Sequence, residues 1–591
     1  MKTRKFIALA LVSLMLLGLA AACSSPSDSA DPGTDTNTPA ENTDPNPPGN
    51  TPDDTDPAGT PPQGITAETY AEYGIDENLR FLETRNLTVE IYNRSNDGGT
   101  DPTNNYFTDY LKQAILDKHN IAVEYVSVPR WGEDTEIPNL LAAGTAPDVS
   151  VTYNYNAIQT YGNMGGVIDM YPYLTNLAEW FPNAYDLMGT QNLFYYRDPV
   201  DNHVWAVEAF LKDNWAVNTF IRKDWLDTLG IAEPTTLEEF EAALVAFKDN
   251  AATLLPETPD QIIPFGFTHD IRWQARPLLE SFLPDDLTDK ERYVTDYVQH
   301  WATTDAMKEA VLVFNKWFNM GLTWKDFMIY DDATLGETFD NLARAGYVGA
   351  FAGNVDMPYR NGENSYVNQM IRNVGPEAMF VSISPFPNDA GNIVRMASAP
   401  VDRKVFMPAT NDEPLAGLLY IDFISSLEVR KFLQIGDEGV NHTVLENGAI
   451  EAIAATGEKI MNSPRNIDYT ITINGLDLGD ADVNNASLVL GYPGTPPEVV
   501  LKSITDMVSN SRVGKPINLG QIVSEADRLA GLEQTRNAML VEAVQAATPE
   551  EAAAIFDEGV ANIKSNGGDE IIQERTEKWE ALYGADVVNL D

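Results

Sequence analysis

The stretch NTFIRKDWLDTLGIAEPTTLEEFEAALVAFK, residues 218–248, decides the fold reading. Its first residues are apolar and β-branched and read as a strand that runs directly into a helix stopped by Gly230. Trp225, Leu226 and Leu229 form one apolar face of that helix, so Trp225 is expected to pack, and Arg222 with Asp224 to pair structurally. After Pro234, Leu237, Phe240, Leu244 and Phe247 recur at helical spacing. Thr236 followed by Glu239 has the form of a capping box. Strand, helix, turn and second helix within about thirty residues are the unit of an α/β protein.

The same rhythm extends in both directions. LTVEIYNR (87–94), IAVEYVSVP (121–129) and PDVSVTY (147–153) alternate like strands, with helical stretches at 106–118 and 135–143 between them. Downstream, GYVGAFAG (346–353) and MFVSISPF (379–386) are strand-like, and 306–319 is helical. Strands alternating with helices of this length imply parallel sheets covered on both faces. VWAVEAF (204–210) is a further strand just before the opening motif, where a chain too long for one core can cross to a second.

The start of the chain has a different character. Lys2, Arg4 and Lys5 precede an apolar run from Phe6 to Ala22, the pattern of an export signal over residues 1–22. Ala20, Ala21 and Ala22 lead to Cys23, the only cysteine of 591 residues, and resemble a lipobox in which that thiol is acylated. An ordinary secretory signal with an incidental cysteine is the alternative. Residues 23–64 are rich in Ser, Pro, Asp and Thr and read as a disordered stalk, since such a segment cannot bury enough surface to offset its ordering entropy.

The formal net charge is −49, from 88 acidic and 39 basic residues. A surface of that sign repels phosphate backbones, which excludes nucleic acid as a partner. No two of the five histidines have metal-ligand spacing, and no P-loop, G-x-S-x-G or G-x-G-x-x-G occurs. Asp480, Asp482 and Asn484 begin like a calcium loop, but the run lacks the sixth-position glycine and the closing glutamate. Neither a metal nor a cofactor is expected, and nothing in the sequence marks an enzyme.

Residues 218–248 resemble the extracellular solute-binding proteins of ABC importers, and are most similar to the large Gram-positive lipoproteins that bind oligosaccharides. Other segments resemble that family in its order: LLAAGTAPDVSV (140–151), WFNMGLTWKDFM (317–328), GYVGAFAGN (346–354), LYIDFISSLEVRKFLQIGDEGVNH (419–442) and 555–583. The resemblance implies a two-lobed, periplasmic-binding-protein-like (type II) α/β fold, with a hinge and an interlobe cleft. It would place 65–208 and 390–443 in one lobe, and 209–389 and 444–591 in the other. It also implies an ABC permease as partner and an extracytoplasmic, lipid-anchored location.

Ligands of open α/β sheets lie beyond the carboxyl ends of strands. A sugar, with apolar ring faces and dense hydroxyls, wants aromatic planes beside polar side chains there. The candidates by that rule are Trp131, Tyr153, Asn154, Asn354, Asp356 and Tyr359, joined by Trp273 past PFGFTHD (264–270) and by Trp215 near the crossover. The expected function is capture of an oligosaccharide. A peptide or other polar solute is the alternative cargo, and a secreted carbohydrate-active enzyme a further alternative.

Overall fold

The computed structural model describes residues 65–93, 100–212, 216–328, 339–509, 511–514, 517–526 and 528–584. The signal, Cys23, the stalk and Trp215 lie outside the described residues, as does the side chain of Trp131.

Among the described residues two large hydrophobic cores form, with two smaller clusters beside them. The first draws on residues between Ile75 and Val207 and between Val405 and Ile473. The second draws on Leu211 to Met396 and Leu488 to Trp579. Beneath the first core, β1 (Arg85–Asn93) and β2 (Ile121–Pro129) pair in parallel from Arg85↔Ile121 to Asn93↔Pro129. Their alternation is met: Leu87, Val89, Ile91, Ile121, Val123 and Tyr125 are buried. β1 reaches β3 (Ser150–Thr152) through the parallel bridge Val89↔Val149. β10 (Val401–Phe406) then lies between β3 and β4 (Val207–Leu211), antiparallel to both.

The second sheet has the order β6 (Ile263–Gly266), β7 (Val348–Gly353), β5 (Asn218–Arg222), β8 (Phe380–Ile383). Here β5 is the reversed strand, antiparallel to β7 and β8, while β6 and β7 are parallel. The two reversed strands have one cause. A crossover within a lobe returns the chain parallel, whereas a strand arriving from the other lobe enters at the opposite end of the sheet. β5 arrives from β4, and β10 arrives from the second lobe through β9 (Arg395–Ala397).

The opening motif folds as read, with one shift. Trp225 is 2% exposed and meets Phe247 edge-on at 5.2 Å between ring centroids. Arg222 grips Asp224 through two hydrogen bonds of 2.8 and 2.6 Å, and its third nitrogen donates to Gly346 O. Thr236 caps the helix Leu237–Asp249 by accepting from Glu239 N, but the Glu239 carboxylate accepts from Thr235 N and Oγ1 instead of closing the box on Thr236. Gly349 has no side chain because a Cβ there would stand 2.8 Å from both Phe247 and Trp225.

Two boundaries differ from expectation: residues 390–443 are expected in the first lobe, yet Met396 packs in the second core. The family pattern put all of 444–591 in the second lobe, yet Tyr469, Ile471 and Ile473 pack in the first core. The brace is Arg403 on β10, which donates to Ile467 O at 2.6 Å and Ile473 O at 2.9 Å. Strand Ile473–Asn474 accordingly adds to the first sheet beside β4. Asp480, at the head of the calcium-like run, caps the helix Ala481–Leu488 by accepting from Val483 N at 2.9 Å.

Phe247→Ala opens a cavity between Trp225 and the sheet and should cost about 3–5 kcal/mol of unfolding free energy. Urea denaturation checks this; a loss under about 1 kcal/mol would show that the helix face does not carry the second core.

Candidate functional site

The ladder register divides the faces of the first sheet. Val151, Val405 and Val207 are cross-strand partners pointing into the first core. Thr152, Lys404 and Glu208 are likewise partners, so they share the opposite face, one residue nearer the carboxyl ends of β3 and β4. That end carries the connection to the second lobe. Thr152 and Glu208 are fully buried, and Lys404 Nζ lies 3.4 Å from Glu208 Oε1 while donating to Asp402 O.

Tyr153 follows Thr152 just past the carboxyl end of β3 and packs against the first core. The Arg130 guanidinium stands 4.4 Å from its ring centroid, and Lys404 Nζ is 5.9 Å from the rings of both Tyr153 and Tyr196. Glu133 fixes the arrangement, accepting from Tyr153 N at 3.0 Å and from the Tyr92 hydroxyl. Tyr155 and Tyr196 stack with centroids 3.5 Å apart. The result is a set of cations over aromatic planes at the mouth of the sheet.

On the second lobe, Asn354 and Asp356 follow β7 directly and are buried. Asp356 Oδ2 accepts from the Tyr492 hydroxyl at 3.3 Å, and Arg360 stands 3.9 Å from Oδ1. Arg465, in a segment packed with the first core, lies 5.8 Å over the Tyr492 ring. Asp356 therefore sits where pieces of the two lobes meet. A second seam joins Tyr195 OH to Ile517 O at 3.2 Å and Asn518 Nδ2 to Tyr195 O at 2.9 Å.

Trp273 is half-buried in the short helix Ile271–Gln274, against the second core. Two expected ligand contacts have other duties. Tyr359 is fully buried, donates to Phe380 O at 3.2 Å and meets Phe220 edge-on, because the turn after Asp356 folds it back into the core. Asn154 spends its side chain capping the helix Tyr155–Asn163, accepting from Ala157 N. Glu208, Lys404, Arg130 and Tyr196 were not among the expected residues. The signal for the first two is parity: a charge alternating with the core valines in VWAVEAF and VDRKVF (401–406).

Burial dominates the electrostatics. It pushes the Glu208 carboxyl up to about 8, against the opposing pull of Lys404, and that of Asp356 up to about 6 against Arg360 and Arg465. A folded-state pKa above the unfolded value means that the folded state holds the proton more tightly. The stability this lends is present at acid pH and is lost as pH rises from the ordinary carboxylate range through about 8. Glu208→Gln should therefore match wild type near pH 4 and be more stable above pH 8, by about 1–3 kcal/mol. Urea unfolding across that range is the check, and an unchanged pH profile would show that Glu208 is not the titrating group.

No protein-family model and no curated protein sequence matches the chain. Solved structures do match in shape. The crystal structure of the alginate-binding protein AlgQ2 without calcium ion is 15% identical with a TM-score of 0.61, over 85% of this chain and 100% of that one. FusA, an ABC-transporter substrate-binding protein of S. pneumoniae in complex with kestose, is 12% identical with a TM-score of 0.56, over 85% and 100%. An HMO-binding, ABC-transporter-associated solute-binding protein from Bifidobacterium longum infantis is 15% identical with a TM-score of 0.55, over 84% and 99%. At this identity the likeness establishes the fold: the chain has the two-lobed α/β fold of the ABC-transporter solute-binding proteins.

Proposed function

We propose that this chain is the substrate-binding component of an ABC importer, capturing an oligosaccharide between its lobes and presenting it to membrane permease subunits. The observation that carries the reading is Tyr153 under Arg130 past the carboxyl end of β3, beside the polar row Thr152–Lys404–Glu208. Aromatic planes suit the apolar faces of sugar rings, and buried, oriented polar groups suit their hydroxyls. The solved structures of this fold with saccharides named in their titles, kestose for FusA and alginate for AlgQ2, support the same cargo class.

The action is binding and closure, without chemistry. A ligand touching both lobes stabilises the closed population by as much as it prefers that state, and closure is what the permease reads. Among the described residues no helix is long and apolar enough to cross a membrane. In our reading the protein is extracytoplasmic and held by acylated Cys23, with residues 23–64 as the tether that raises its concentration near the transporter.

Thermal shift of residues 65–591 against neutral and acidic oligosaccharides, with peptides as controls, tests the cargo. A saccharide should raise the melting temperature, and Tyr153→Ala or Trp273→Ala should weaken its binding about tenfold or more. A shift with peptides alone would replace the cargo. Separately, Cys23→Ser should release the full-length protein into the medium, and a variant still at the membrane would disprove the anchor.

A further inference from the structure

The segment 517–521 belongs to the second lobe by its packing and to the first by its hydrogen bonds. Leu519 and Ile522 are buried in the second core, and Ile517 packs against it. Across from it stand Asn163 and residues 195–199 of the first lobe, where Tyr161 and Tyr196 pack on the cluster of Val167, Trp205 and Phe406. The Tyr195 hydroxyl donates to Ile517 O at 3.2 Å, and Asn518 Nδ2 donates to Tyr195 O at 2.9 Å and to Arg197 O at 3.3 Å. Asn163 Nδ2 donates to Gln521 Oε1 at 3.1 Å. Between these bonds Gly520 comes so near Pro199 that a Cβ on it would stand 3.5 Å from the proline ring.

The segment is held firmly on its own side. Before it, the strand Ser511–Val513 pairs in parallel with β9, and Gly514 N donates to Ala397 O at 2.9 Å. After it, the Glu574 carboxylate accepts from Val523 N at 2.9 Å and Ser524 N at 2.8 Å, and Lys578 donates to Gln521 O. Within it, Asn518 Oδ1 accepts from Gly520 N at 2.9 Å and closes a local turn.

Its seat on the first lobe lies beside the interlobe connections. The chain passes between the two cores after Val207, after Met396 and after Ile473. Asn192, three residues before Tyr195, donates to Ala209 O at 3.2 Å and to Pro400 O at 2.9 Å, and so joins two of those passages. The passages are covalent and survive any change of lobe angle. The contacts of 517–521 are not, and a rotation that carries Tyr195 away from Ile517 must break them.

We propose that 517–521 is a non-covalent strap that sets the resting angle between the lobes, with or without a ligand. A neutral hydrogen bond shifts an equilibrium by about two- to tenfold, so the seam as a whole makes the strapped angle the dominant one. A ligand that prefers that angle meets it already populated, and one that prefers another must first undo the strap.

The test is double electron–electron resonance on the ligand-free chain carrying Cys23→Ser, with spin labels at Leu82→Cys in the first lobe and Leu501→Cys in the second, both exposed positions. Asn518→Asp keeps the acceptor for Gly520 N but loses the amide donor, and Tyr195→Phe loses the hydroxyl but keeps the ring. In the double variant the ratio of strapped to unstrapped molecules should fall about tenfold or more, seen as a second population of interlobe distances. Asn163→Ala, at an exposed position, should move the distribution the same way by about two- to tenfold, and guards against misfolding of the double variant. Distances identical to wild type in the folded variants overturn the strap. The measurement uses no ligand, so that result would leave the proposed cargo standing, and loss of the proposed cargo would leave the strap standing.

Discussion

β5 and β10 each run against both of their neighbours, and much else in the molecule depends on that constraint. A strand threading from one lobe to the other enters its new sheet from the connecting side. It therefore turns the carboxyl ends of the locally wound strands, β3 and β4 in one lobe and β6 and β7 in the other, toward the connection. Those ends are where an α/β sheet offers backbone groups and side chains to a ligand. The cleft and the hinge are thus consequences of one topological fact, and Tyr153, after β3, and Asn354 and Asp356, after β7, stand at such ends.

Charge is managed in an unusual way for so acidic a chain. Of its largest fully buried side chains, six are arginines: Arg130, Arg222, Arg272, Arg395, Arg403 and Arg536. Buried guanidinium groups carry a heavy desolvation cost unless every donor is used, and the planar fork suits carbonyls and carboxylates. Arg395 spends its donors on Asp506 O, Val217 O and Asn218 Oδ1, binding the entry of β5 to the exit at β9. Arg403 does the same for 467–473. Arg395 and Arg403 thus serve as internal braces at the lobe connections.

Much of the fold was legible because periodicity and caps are local. The strands expected at 87–94, 121–129, 204–210, 346–353 and 379–386 contain β1, β2, β4, β7 and β8 to within a few residues. The site was only partly legible, for a physical reason. A rule that looks beyond strand ends finds Tyr153 and Asp356 but also takes Tyr359, which a turn returns to the core. It misses Glu208 and Lys404, which sit inside strands and face away from their valine neighbours. Nor can an amphipathic pattern say which of two cores a segment joins, so the placement of Ile471 and Ile473 needed Arg403 to be seen.

The left-handed turn at 299–301 lay beyond sequence reading altogether, since no glycine or asparagine marks it. Its conformation is set from afar, by Arg536, Arg272 and Arg276, and Arg276 also holds β9 through Met396. Arg276 thereby ties the turn to the second core, where Met396 and Trp301 are both buried, so a conformation costly for three L-residues is held by packing and charge that are distant in sequence.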